Sequence, residues 1–278
     1  MKHSEGTFKS VRDLKIFHQA WLPDGEVKGV LFIVHGVGEH SSRYTNVINR
    51  FLPLGFAVYA LDHIGHGKSE GEREMIDKFA DYSAPLITYR KMVAEQHPDV
   101  PVFIYGHSMG ALITCVHLLS HQADFTGAII SAPPVMIPAN ISPITITIGR
   151  LLSAIAPKMG LIDLDVNNLS NDKAVVEAYV ADPLVFHGKM TARISSEMLG
   201  AIKQVNDSVG KINLPLFIIQ GGADHIVDPA GADMLYAKSS SSDKTLKVYD
   251  GFFHEIHNEI NRELMFSDLE AWLKPRLK

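Results

Sequence analysis

The chain has one cysteine, Cys115, in 278 residues. No intramolecular disulfide can form, which excludes a small secreted scaffold stapled by cystines. A surplus of positive charge is also missing. Its 26 lysines and arginines stand against 31 acidic residues, a net of −5, so the sequence lacks the basic stripe of a nucleic-acid binder. There are no repeats or low-complexity tracts, and 46% hydrophobic with 21% charged residues excludes a disordered or collagen-like chain. Residues 1–10 carry no apolar h-region, so no secretory signal is expected and the chain is read as cytoplasmic. The longest run without a charged residue spans 125–149, yet it holds Pro133, Pro134, Pro138, Asn140 and Pro143. Those residues argue against a membrane-spanning helix.

What is present is an alternation of two patterns. Short apolar runs at 30–34, 57–61, 102–105, 128–130 and 216–219 are rich in Val, Ile and Phe, the composition of strands buried on both faces of a parallel sheet. Helical periodicity falls between them at 42–51, 79–97 and 109–120. The alternation predicts an α/β fold, a mostly parallel central sheet flanked by helices. Residues 14–21 read as an edge strand or hairpin. Between Val135 and about Gly210 no clear strand is seen, and helical stretches at 145–156 and 192–205 follow one another. An insertion of roughly 70 residues is long for a loop and marks a functional lid. The expectation is one domain over 1–278 with a helical cap at 135–210 inserted between sheet strands. Within it Ile148, Leu151, Leu152 and Ile155 lie largely along one helix face, which either packs on the core or touches a membrane.

The run at 102–105 leads into Gly106-His107-Ser108-Met109-Gly110 and then a helical stretch. G-x-S-x-G alone is weak, because chance supplies roughly 0.1 matches in a chain of this size. The strand before it and the helix after it make it a nucleophile elbow. A serine nucleophile needs a base, and the base an orienting acid, in the chain order Ser, Asp or Glu, His. Asp224 follows the strand at 216–219 and His254 follows a last strand at 245–249. Ser108, Asp224 and His254 are therefore the candidate catalytic residues. Asp228 is the rival acid, with loop or helix capping as its plain role. His257 is the rival base and is read as facing the substrate. The backbone N–H groups of Met109 and of Val37, in the loop His35-Gly36-Val37-Gly38, are the candidate oxyanion hole. That loop fits neither the P-loop pattern nor a complete dinucleotide fingerprint. The histidines number 14, but no H-E-x-x-H and no cysteine cluster accompanies them, so neither metal nor cofactor is expected. His63 and His66 read as turn residues.

Several stretches together resemble a known family. HGVGEHSSRY at 35–44, LDHIGHGKSEGER at 61–73, GHSMG at 106–110, DPL at 182–184, QGGAD at 220–224 and DKTLKVYDGFFHEIHNE at 243–259 are similar to monoglyceride lipases of the α/β-hydrolase superfamily. The resemblance runs almost end to end and keeps the family's order. It implies the α/β-hydrolase fold, cleavage of monoacylglycerol to glycerol and a fatty acid, and transient peripheral membrane contact through the cap. It also implies that Glu39, Arg43 and His257 surround the glycerol head group, with the cap residue Tyr179 near the pocket; a surface pair is the plain alternative for Glu39 and Arg43. Ala111 departs from the family, which commonly has a glycine there. Cysteines that members carry in the cap and beside the acid loop are missing, Val227 standing at the latter place. Thiol regulation is therefore not carried over, and Cys115 reads as a packing residue. A lysophospholipase or broader carboxylesterase shares the triad, and a catalytically silent lipid-binding homologue is the non-enzymatic alternative. Acyl preference and oligomeric state stay open, a homodimer included.

Overall fold

The computed structural model describes residues 1–137 and 142–277; Pro138 and Asn140, named above, lie outside them. The chain begins with a hairpin of β1 (Lys2–Lys9) and β2 (Lys15–Leu22). It continues through β3 (Gly29–Val34), β4 (Phe56–Leu61), β5 (Val102–His107), β6 (Gly127–Ser131), β7 (Gly160–Ile162), β8 (Met190–Thr191), β9 (Leu216–Gly221) and β10 (Lys244–Tyr249). Helices among the described residues are α1 (Thr45–Phe51), α2 (Ser83–Gln96), α3 (Met109–His121), α4 (Pro143–Ile155), α5 (Lys173–Ala181), α6 (Ala192–Ser208), α7 (Ala230–Lys238) and α8 (Glu263–Leu273).

Eight described strands form one sheet in the order β1-β2-β4-β3-β5-β6-β9-β10. From β4 to β10 every neighbouring pair is parallel, and β2 alone runs antiparallel, to both of its neighbours β1 and β4. Strands β3, β4, β5, β6 and β9 are buried along their whole length, because side chains alternate into two separate cores. Val30, Phe32 and Val34 pack with Tyr89 of α2 and Leu112 of α3. Leu31 and Ile33 pack on the opposite face with Phe51 of α1 and Phe266 of α8. Each such buried side chain is worth about 1.5–3 kcal/mol, which is why runs apolar on both faces become the central strands.

The structure departs from the sequence reading in two places. Residues 14–21 belong to a hairpin, but the edge strand is β1, whose side chains are almost all exposed and carry no apolar alternation. The segment between β6 and β9 is also not free of strands, since β7 and β8 pair antiparallel. Strands of three and two residues are too short to leave a periodic signal. In the same segment α6 is not peripheral: Ile194, Ala201, Ile202 and Val205 join the core that contains Val30 and Leu112. The apolar face of α4 turns outward instead, with Ile144, Ile148, Leu151 and Ile155 all exposed. No described helix is long and apolar enough to cross a membrane.

Two buried groups of α3 have measurable consequences. Cys115 is buried, and burial pushes its thiol up to about 12. His117 is buried as well, with no hydrogen-bond partner for either ring nitrogen among the described residues. Burial, helped by the stacked ring of His121, pulls it down to about 4. The folded value lies below the ordinary 6.5 of the unfolded chain, so on acidification the unfolded state takes up the proton first. His117 therefore leaves stability untouched above pH 6.5 and costs about 3 kcal/mol by pH 4. Replacing His117→Leu is expected to remove about one proton from the slope of stability against pH across that window, as read from urea unfolding at pH 7 and pH 5. An unchanged slope would count against a neutral buried imidazole.

Candidate active site

Strand β5 feeds directly into the turn at Ser108, which has φ 54° and ψ −127°. A non-glycine residue in this region is strained, and close packing holds it there. A Cβ on Gly110 would collide with the carbonyl oxygens of Val34 and His35, and one on Gly106 with the Thr114 hydroxyl. The two glycines thus let β5, β3 and α3 approach closely enough to force the turn. Ser108 sits at the N-terminus of α3, its N–H bonded to the Ser131 carbonyl at 2.9 Å.

His254 Nε2 lies 2.8 Å from Ser108 Oγ, and its Nδ1 lies 2.8 Å from Asp224 Oδ2. A carboxylate only accepts, so Nδ1 carries the proton and Nε2 presents its lone pair to the serine hydroxyl. Asp224 is itself fixed: Oδ1 accepts from the N–H groups of Ile226 (2.8 Å) and Val227 (3.1 Å), and Oδ2 from Gln220 Nε2 (3.0 Å). Burial alone would raise this carboxyl, but His254 and those backbone donors more than offset it, and the group lies below the usual range. Asp228, the rival acid, instead accepts from Ala230 N–H at 3.0 Å and caps α7.

Among the described residues, neither the Val37 nor the Met109 N–H has a protein acceptor, and Val37 lines the same cavity as Ser108. That cavity has a volume of about 270 Å³. Its apolar wall includes Ile162, Leu164, Met190, Met198, Leu199 and Ile202, while Glu39, Arg43, Tyr179 and Glu255 gather near the serine.

Those polar groups form a buried cluster, not a surface pair. Arg43 meets Glu255 through two parallel bonds, Nη1–Oε1 at 2.7 Å and Nη2–Oε2 at 3.0 Å, and donates to Glu39 Oε2 at 3.0 Å. Its guanidinium also lies 4.5 Å from the Tyr179 ring centre. Burial favours neutral Glu255, yet Arg43 outweighs it and holds the carboxyl down at about 2. Burial raises Glu39, with Arg43 opposing. His257 lies behind this cluster, fully buried and stacked on Tyr44 with ring centres 4.8 Å apart. It is not among the residues lining the cavity, in contrast to the sequence expectation that it faces the substrate, because Tyr44 and Tyr105 enclose it. Burial pulls it down to about 4. His63 and His66, read from the sequence as turn residues, lie in the segment after β4. Glu255 was missed in the sequence; its position directly after His254 was the available signal.

Removing Arg43 would leave two carboxylates facing each other out of water. Arg43→Met is expected to destabilise the fold by about 3–5 kcal/mol, seen as a lower urea midpoint. A loss under 1 kcal/mol would mean the cluster is wet.

A parallel sheet of this order, with a serine at a strained strand-to-helix turn and a histidine and aspartate at later strand ends, defines a hydrolase of the α/β-hydrolase fold. The chain belongs to the family described as serine aminopeptidase, S33, whose model matches residues 25–261. It is 33% identical over 274 residues to a monoacylglycerol lipase of Mycolicibacterium smegmatis, covering 99% of this chain and 98% of that one. It is also 33% identical over 265 residues to the monoglyceride lipase of Rattus norvegicus, covering 94% and 88%. The crystal structure of Paleococcus ferrophilus monoacylglycerol lipase superposes with a TM-score of 0.82 at 25% identity, covering 99% and 100% of the two chains.

Proposed function

We propose that this protein is a serine hydrolase that cleaves monoacylglycerols to glycerol and a fatty acid. The observation that carries the reading is one cavity lined by an apolar wall, by Ser108 and His254, and by the buried polar cluster. The acyl chain occupies the apolar part, and the glycerol hydroxyls meet the polar end. His254 takes the Ser108 proton as Oγ bonds the ester carbonyl carbon. Negative charge on the carbonyl oxygen is met by the Val37 and Met109 N–H groups. The bond to the glycerol oxygen breaks, and His254 delivers the proton to that oxygen. Water, deprotonated by the same imidazole, then releases the fatty acid and restores the serine.

Charge favours this substrate over a lysophospholipid. Arg43 is committed to two carboxylates, and Asp228 also lines the cavity, so a phosphodiester head group would meet unpaired negative charge. Monoolein is expected to turn over at least about tenfold faster than lysophosphatidylcholine, a 1.4 kcal/mol preference. Equal rates on the two, or faster hydrolysis of short aryl esters, would favour the lysophospholipase or carboxylesterase reading.

Residues 135–210 serve as the cap over this cavity, on a chain that is one domain and cytoplasmic. Beyond α4, Met159 and Ile162 are exposed as well, and Ile162, 42% exposed, also lines the cavity. With them the exposed face of α4 forms a peripheral membrane contact where substrate enters. Replacing Ile148→Ser and Leu151→Ser together is expected to weaken binding to phosphatidylcholine vesicles by about tenfold or more at roughly 25 cal/mol per Å² of apolar surface. Unchanged partitioning in a sedimentation assay would place the contact elsewhere.

A further inference from the structure

The loop that carries Val37 is held at four backbone groups, the N–H and carbonyl of Gly36 and of Gly38, while the Val37 N–H between them has no protein acceptor among the described residues. Gly36 N–H donates to Glu39 Oε1 at 2.6 Å. The Gly36 carbonyl lies 2.8 Å from His35 Nδ1. Because His35 Nε2 accepts from the His63 N–H at 2.9 Å, Nδ1 is the protonated nitrogen and donates to that carbonyl. In a trans peptide the N–H points opposite to the carbonyl, so this bond turns the Val37 N–H away from His35. Gly38 N–H donates to Glu74 Oε1 at 3.1 Å, and the Gly38 carbonyl accepts from Phe186 N–H at 2.8 Å.

Glu74 is unusual on its own terms. It is 1% exposed and has φ 55°, a conformation few non-glycine residues adopt. Its Oε1 lies 3.0 Å from His66 Nε2 in an ion-pair contact that is not aligned as a hydrogen bond. Its Oε2 has no partner among the described residues. Its carbonyl accepts from Thr191 Oγ1 at 2.6 Å, and that hydroxyl also caps the first turn of α6. A buried carboxylate with an unsatisfied oxygen on a strained backbone is costly for stability. The one backbone donor it holds belongs to the residue after Val37.

We propose that Glu74 is a positioning residue for the oxyanion hole. Glu39 and Glu74 grip the N–H groups on either side of Val37, so the intervening donor faces Ser108 before substrate arrives and does not have to reorganise as charge develops. The inference rests on the reading of Val37 and Met109 as oxyanion donors. Glu74 touches no reacting atom, and its effect passes through Gly38.

The test uses the full chain with Glu74→Leu, Glu74→Asp and Glu74→Gln, monoolein as substrate and an alkylboronic acid as a tetrahedral mimic on Ser108. Loss of a full oxyanion donor costs about 10²–10³ in kcat, and a mispositioned one is expected to cost about tenfold to a hundredfold. Glu74→Leu should lose that factor in kcat with KM changed by less than about twofold, and boronate affinity should fall in parallel. Glu74→Gln keeps an acceptor oxygen at the same reach and should recover most of the loss. Glu74→Asp withdraws the oxygen by one methylene and should not, which keeps the test open if the leucine variant does not fold. Wild-type kcat in Glu74→Asp overturns the proposal, as does a loss of kcat with boronate affinity unchanged. If the wild-type enzyme hydrolyses monoolein but fails to bind the boronate, the oxyanion reading itself falls, and the proposal with it.

Discussion

Ser108→Ala is expected to lower kcat on monoolein by about 10⁶-fold while leaving the unfolding midpoint within a degree or two. His254 Nε2 then faces a methyl group, and no other hydroxyl stands in its place within hydrogen-bond reach of that nitrogen among the described residues. The fold should tolerate the change. Alanine keeps the Cβ that the φ of 54° already strains, and the Ser108 backbone bonds to Ser131, Ala111 and Leu112 do not involve the hydroxyl. A fluorophosphonate that labels the wild-type chain should leave the variant unlabelled. Turnover above about one part in a thousand of the wild-type rate would sink the nucleophile assignment, and persistent labelling would point to a second serine.

Asp224→Asn should cost about 10⁴ in kcat, and the structure says why the loss should be that large. The N–H groups of Ile226 and Val227 both point at Oδ1. An asparagine must place its carbonyl oxygen there, which leaves its NH₂ facing His254 Nδ1. The imidazole then presents a lone pair at Nδ1 and carries its proton at Nε2, toward Ser108. A base with its proton on the wrong nitrogen cannot accept another at neutral pH. KM should move little, because Asp224 does not line the cavity. Retention of a tenth of wild-type kcat would mean that Asp224 does not orient the base.

Much of this site could be read from the sequence because its parts sit at strand ends. Ser108 and Asp224 each follow a run whose apolar composition marks it as a strand, His254 follows the more mixed strand β10, and the structure brings the three within 2.8 Å contacts. Central strands were legible for the same reason: burial on both faces leaves no polar residue in the run. Strand β1 was not, since its exposed side chains follow no pattern and only pairing with β2 makes it a strand. Partners in space were the hardest to see. Arg43 and Glu255 are 212 residues apart, and Glu74 lies 36 residues from the Gly38 N–H it holds. Glu255 is marked only by its place directly after His254, and nothing near Glu74 in the chain marks it. His257 read as a substrate contact by its place beside His254, but the rings of Tyr44 and Tyr105 close over it.

Cys115, the lone cysteine, lies about two helix turns beyond Ser108, inside α3 and sealed in the core that contains Leu112 and Val30. Only a thiolate alkylates at a useful rate, and burial holds this thiol protonated far above neutral pH. Modification must therefore wait until α3 leaves the sheet. Incubated with iodoacetamide, the chain carries a single-site clock: its labelling rate reports how often the elbow's own helix comes apart, with no engineered tag and no competing thiol.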